Sequence, residues 1–133
     1  MNTNVIKIIA AVPGIPMLVN ALLFIAQPER VTADLGMPLL EGVGLSTQLA
    51  DLGAFFTFSA LLIFYGVLKS KGECLRIVAL LIGLAAFLRI VAWAINDAAL
   101  ASTLIGAEIV LVVWLWLSAK YIDKLKQVNG ANE

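Results

Sequence analysis

Four long apolar runs limit what this chain can fold into more than any other feature. They cover about residues 8–26, 45–68, 75–95 and 100–119. Each approaches or exceeds the ~20 residues that carry a helix across a ~30 Å hydrocarbon core. The chain of 133 residues is 62% hydrophobic and 14% charged, where a soluble domain is about half apolar and a quarter charged. The expected fold is therefore all-α, a single transmembrane domain over residues 1–133 in which four membrane-crossing helices form a bundle. The polar end QVNGANE, residues 127–133, is expected to fray. The first run is read as a retained helix: only Lys7 precedes it, it is long for a signal peptide, and no small-residue cleavage site follows.

The basic residues assign an orientation. With four crossings, the N-terminus, the second loop and the C-terminus share one side, and Lys7, Lys69, Lys71, Arg76, Lys120, Lys124 and Lys126 fall there against Arg30 on the other. The positive-inside rule then puts both termini in the cytoplasm. The first loop, QPERVTADLGMPLLEGVG, lies outside, acidic and irregular.

The same residues exclude much chemistry. Histidine is absent and Cys74 is the single cysteine, so no disulfide, paired-cysteine motif, haem attachment or histidine-based catalysis can be assembled. Cys74 reads as an idle thiol. Net charge is zero with no basic run beyond KLK or KSK, which leaves no electrostatic grip on nucleic acid. No cofactor or metal is expected, and the balance leans away from an enzyme.

What remains is a layer of polar side chains within the spans. Counting from the outer ends at about 1.5 Å per residue, Asn20, Asp51, Arg89 and Glu108 all fall ~9 Å deep, Glu108 at up to ~13 Å. Intramembrane charge costs about 2.5–3.5 kcal/mol at a helix centre, so pairing is expected. Arg89 offers a planar fork, and Asp51 and Glu108 are the carboxylates within the spans. The expectation is an Asp51, Arg89 and Glu108 triad of formal charge −1 with Asn20 nearby. Trp93 and Asn96 follow Arg89 at i+4 and i+7 and would line an outward vestibule with Thr47 and Gln48. The competing reading is a charge network that only fixes helix register, or an arginine that snorkels to the headgroups.

Pro13 and Pro16 interrupt the first run. Each frees a carbonyl one turn back, on Ile9 and Val12, and a kink supported by a neighbouring donor is expected. Trp93, Trp114 and Trp116 read as interfacial aromatics.

The pattern STQLADLGAFFTFSALLIFYG in the second run, an arginine late in the third followed by AINDAA, and a glutamate within LIGAEIVLVVWL in the fourth resembles the small four-helix bacterial membrane proteins grouped as the domain of unknown function DUF4345. More loosely it is similar to the DoxX-like group. The resemblance implies architecture, with a place in the bacterial inner membrane as the expected location, and carries no activity, cofactor or catalytic residue.

Three functions follow from these readings. The first is a binding or accessory protein of the lipid bilayer, whose outer pocket (Asn20, Asp51, Arg89, Trp93, Asn96, Glu108) holds a small ligand, a lipid head group or a partner helix. The second is a proton-coupled transporter acting as a homo-oligomer, with Glu108 as proton carrier. The third is a quinone-linked redox accessory protein.

Overall fold

The computed structural model describes residues 2–130. Six helices succeed one another: α1 (Thr3–Ala11), α2 (Gly14–Ala26), α3 (Pro28–Asp34), α4 (Gly42–Leu68), α5 (Gly72–Ile95) and α6 (Ser102–Gly130). Four rods among them, Thr3–Ala26, Gly42–Leu68, Gly72–Ile95 and Ser102–Val128, are long and apolar enough to cross a membrane. The all-helical, four-rod architecture is as expected from the apolar runs.

The rods form one bundle in which α5 packs most extensively on α6, α2 on α4, and α4 on α5. Its core is a stripe on each helix. On α5 the buried residues Cys74, Leu75, Val78, Ala79, Ile82 and Ala86 recur at helical spacing; on α4 Phe56, Ser59, Ala60, Ile63 and Val67 do so. Around this core large apolar side chains stand outward, Ile25, Val43, Leu68 and Ile95 each more than 70% exposed. Such a coat is what a lipid-facing surface presents, and it is far larger than the apolar patches of water-facing monomers.

The rods overrun the apolar runs. α6 continues past Ala119, and the expected frayed tail is helical over residues 127–130, with 131–133 outside the described residues. The reason is amphipathicity: Lys120 ends the apolar run, but Ile122 is fully buried and Leu125 packs on the core, extending the inward stripe one and two turns further.

The turn between α4 and α5 is a Schellman motif. The Lys71 N–H donates to the Gly66 carbonyl at 2.7 Å and the Ser70 N–H to Val67 at 3.3 Å. Ser70 takes the left-handed conformation, φ 52°, at the position where glycine is usual. A side chain there costs about 1–2 kcal/mol, so Ser70→Gly should stabilise the fold by about 1 kcal/mol, read as a raised melting temperature in detergent.

The first rod is interrupted at Val12 and Pro13, and the break is held from outside. The Ile9 carbonyl, whose amide partner Pro13 removes, accepts a hydrogen bond from Trp114 Nε1 of α6 at 3.0 Å. The Val12 carbonyl, freed by Pro16, accepts instead from the Ile15 N–H at 3.1 Å. Both expected orphans are thus satisfied. Trp114 therefore pins α1 to α6 at the break. Past the break α2 packs on α4, where Gly14 leaves no room for a Cβ, which would sit 2.9 Å from Phe64 Cζ. α1 packs on α6, whereas α2 has no substantial contact with it. A gap opens between α2 and α6.

Candidate functional site

The gap is where the polar side chains meet. α5 and α6 run antiparallel, so Arg89, near the end of one, faces Glu108, near the start of the other. Arg89 Nε donates to Glu108 Oε1 at 3.0 Å. The glutamate side chain is 15% exposed and the arginine 33%. Glu108 Oε2 is buried and has no hydrogen-bond partner among the described residues. An unpaired buried carboxylate oxygen normally costs 1–3 kcal/mol or more, because it has given up water for nothing.

Beside the pair lies a cavity of about 330 Å³, lined by residues of α2, α4, α5 and α6, within the roughly 300–1,000 Å³ typical of small-molecule sites. Asn20, Arg89 and Glu108 are the polar side chains in its wall. The rest is apolar, chiefly Met17, Leu52, Phe55, Phe56, Ile82 and Leu111. Phe24 and Phe56 stack behind it with ring centroids 5.7 Å apart, and Phe55 meets Phe56 edge-on at 5.3 Å, which fixes the aromatic wall. Pro16 of α2 and Ala107 of α6 are exposed and form its lateral rim.

Arg89 also reaches a second, shallower depression, between residues 33–37 and 99–104. Leu35 and Leu104 separate it from the first, lining both. α3 lends Ala33 and Asp34 to this depression and is anchored by buried Val31 and Thr32. Its end is a Schellman turn at Gly36, φ 73°, with Met37 N–H bonded to Thr32 at 2.8 Å. The chain that follows is stapled to α4 by Gln48, whose Nε2 donates to the Pro38 carbonyl at 3.0 Å and whose Oε1 accepts from Leu40 N–H at 3.0 Å.

Three of the six residues expected in the site are brought together, namely Asn20, Arg89 and Glu108. Asp51 is not. It is exposed, on a face of α4 with Thr47, Ala54, Phe58, Leu61 and Tyr65, all exposed, and it makes no ion pair among the described residues. Equal depth along a helix axis does not fix the angle around it: α4 turns Leu52, Phe55 and Phe56 inward, and Asp51 falls outside that arc. The expected triad is a formally neutral pair, which also removes the surplus negative charge. Trp93 and Asn96 stay outside as well. Trp93 is 50% exposed, and Asn96 is the exposed C-cap of α5, its backbone N–H bonded to Ala92 at 2.9 Å. No residue from Ile90 to Leu100 is buried, so helical spacing from Arg89 leads away from the core.

A second ion pair went unforeseen. Asp123 of α6 pairs with Arg76 through Oδ2 and accepts the Gly72 N–H through Oδ1 at 3.1 Å, capping the start of α5. Continuing the α6 stripe beyond Lys120 would have exposed it. Among the described residues no three histidine, cysteine or carboxylate groups converge as metal ligands. No family model, curated protein or solved structure matches this chain.

Proposed function

We propose that this chain is a small multi-pass protein of the bacterial inner membrane, both termini cytoplasmic, that holds a small amphipathic ligand or lipid in the cavity beside Arg89 and Glu108. Kinship with the DUF4345-like four-helix proteins belongs to the same proposal, on the motifs of α4, α5 and α6. The observation that carries the functional reading is the Arg89–Glu108 ion pair in the wall of a largely apolar cavity of about 330 Å³. A pair kept only to fix register has no need of a cavity beside it, since close-packed side chains in that place would stabilise the bundle more.

The test replaces the pair by apolar side chains of similar size. Arg89→Met with Glu108→Leu removes the desolvation penalty together with the charges, so the double variant should insert and fold as well as the wild type. Native mass spectrometry of gently extracted protein should show a bound small molecule on the wild type and none on the variant. An equal load on both would place the ligand elsewhere. Orientation is read separately in a Cys74→Ala background. Asp34→Cys and Ala101→Cys should react with an impermeant maleimide in intact cells and Gln127→Cys should not; the opposite pattern would invert the topology.

A further inference from the structure

We propose that the exposed face of α4 around Asp51 is the docking surface for a membrane-crossing helix of another protein, one that carries an arginine or lysine at the level of Asp51.

Asp51 stands one turn from Phe55, the midpoint of α4 (Gly42–Leu68). That is about 6 Å along the axis, so a ~30 Å hydrocarbon core centred on the rod puts the carboxylate ~9 Å below its surface. Ionisable groups at such depth almost always face a bundle interior or a water-filled cavity and pair there. Asp51 does neither. It is exposed, makes no ion pair among the described residues, and stands outside the walls of the cavity and of the depression beside Arg89. Its one-carbon stem cannot carry the charge back to the headgroups, as the long stem of a lysine or arginine does.

The neighbours give this face its shape. Thr47, Ala50 and Ala54, all exposed and within one turn of Asp51, are small, and small side chains let a second helix backbone come close. The Thr47 hydroxyl donates to the Val43 carbonyl at 3.1 Å, which leaves the carboxylate as the group in want of a donor. Farther along the face, exposed Phe58, Leu61 and Tyr65 supply apolar contact area.

Charge selects the occupant. Among the described residues Arg89 is the cation at this level of the rods, and it is committed to Glu108. Lys7, Arg76, Lys120, Lys124 and Lys126 lie toward the opposite end of the bundle, and Arg30 lies outside the rods in α3. A second copy docked face to face would set Asp51 against Asp51, like charges with little water to screen them. A basic side chain on a different helix neutralises the carboxylate and brings the N–H donors that it accepts.

Photocrosslinking with synthetic helices tests this. The probes are leucine–alanine helices of about 24 residues, long enough to span, each with a photoactivatable leucine beside a central arginine, glutamine or leucine. They are reconstituted with the protein in phosphatidylcholine liposomes, and adducts are located by peptide mass spectrometry. The central position serves both insertion directions, because an arginine side chain spans the ~6 Å to Asp51. The arginine helix should label residues 47–58 at least about tenfold more than either other helix, the worth of one charge-assisted hydrogen bond. Asp51→Asn should bring that labelling down to the leucine level with the melting curve unchanged, and Ala54→Phe, which fills the approach, should lower it as well. Equal labelling by the arginine and leucine helices, or undiminished labelling of Asp51→Asn, would overturn the proposal. Disulfide linkage of two copies through Ala54→Cys in a Cys74→Ala background, undiminished by excess arginine helix, would overturn it in favour of a second copy on this face.

Discussion

Arg89→Leu should lower stability by about 3–5 kcal/mol, because it leaves a charged Glu108 side chain that is mostly buried with neither of its oxygens paired. For a chain of this length that is a fall of about 10 °C or more in melting temperature. The loss belongs to the abandoned carboxylate more than to the missing arginine, and the second substitution separates the two. Adding Glu108→Gln should restore part of the stability, and adding Glu108→Leu most of it, since each removes the unpaired charge. Asp51→Asn provides the contrast. Asp51 is exposed and outside the pair, so its melting curve should overlay the wild type. A large loss at Asp51 combined with none at Arg89 would contradict the pairing described above.

The legible and illegible parts of this fold divide along the helix axis. Apolar run length reports position along a rod, and it located four helices long and apolar enough to cross a membrane and a common level for Asn20, Arg89 and Glu108. Rotation about the axis is reported by periodicity only where one face is polar. In a rod surrounded by lipid both faces are apolar, so α4 gave no sign that Phe55 and Phe56 face in while Asp51 faces out. Trp93 and Asn96 failed for a different reason. They keep the helical spacing from Arg89, but no residue of α5 beyond Arg89 is buried, so spacing alone could not show that the covered stripe had ended. The proline carbonyls were legible because backbone hydrogen bonding is an accounting rule independent of rotation. Its answer, Trp114, was hidden, since an indole near a membrane boundary is ordinarily assigned to the interface.

Gly72→Ala should be strongly destabilising, although alanine is the better helix former by about 1 kcal/mol. At this position a Cβ would lie 2.6 Å from the Ala119 carbonyl oxygen and collide with the Asp123 carboxylate, the same group that accepts the Gly72 N–H and pairs with Arg76. The backbone of α5 touches α6 here, so the methyl group has to push the rods apart or expel Asp123. Overpacking of about 1–3 kcal/mol together with a lost charge-assisted hydrogen bond gives an expected loss of about 3–5 kcal/mol. Gly53 and Gly106 are helical with nothing within 4 Å of an added Cβ, and Gly53→Ala or Gly106→Ala should raise the melting temperature where Gly72→Ala lowers it. The two ion pairs make the effect non-local. Arg76 and Arg89 are separated by about 20 Å along α5 and Asp123 and Glu108 by about 22 Å along α6, so one antiparallel register satisfies both. α5 contains no proline to absorb a shift, and displacement at Gly72 should therefore strain the Arg89 bond at the far end. In a double-mutant cycle Gly72→Ala should cost less in an Arg89→Leu background than alone, by more than the ~0.5 kcal/mol within which distant sites add. Strict additivity would instead mean that the turn at Ser70 takes up the displacement and that the cavity is mechanically independent of the Asp123 cap.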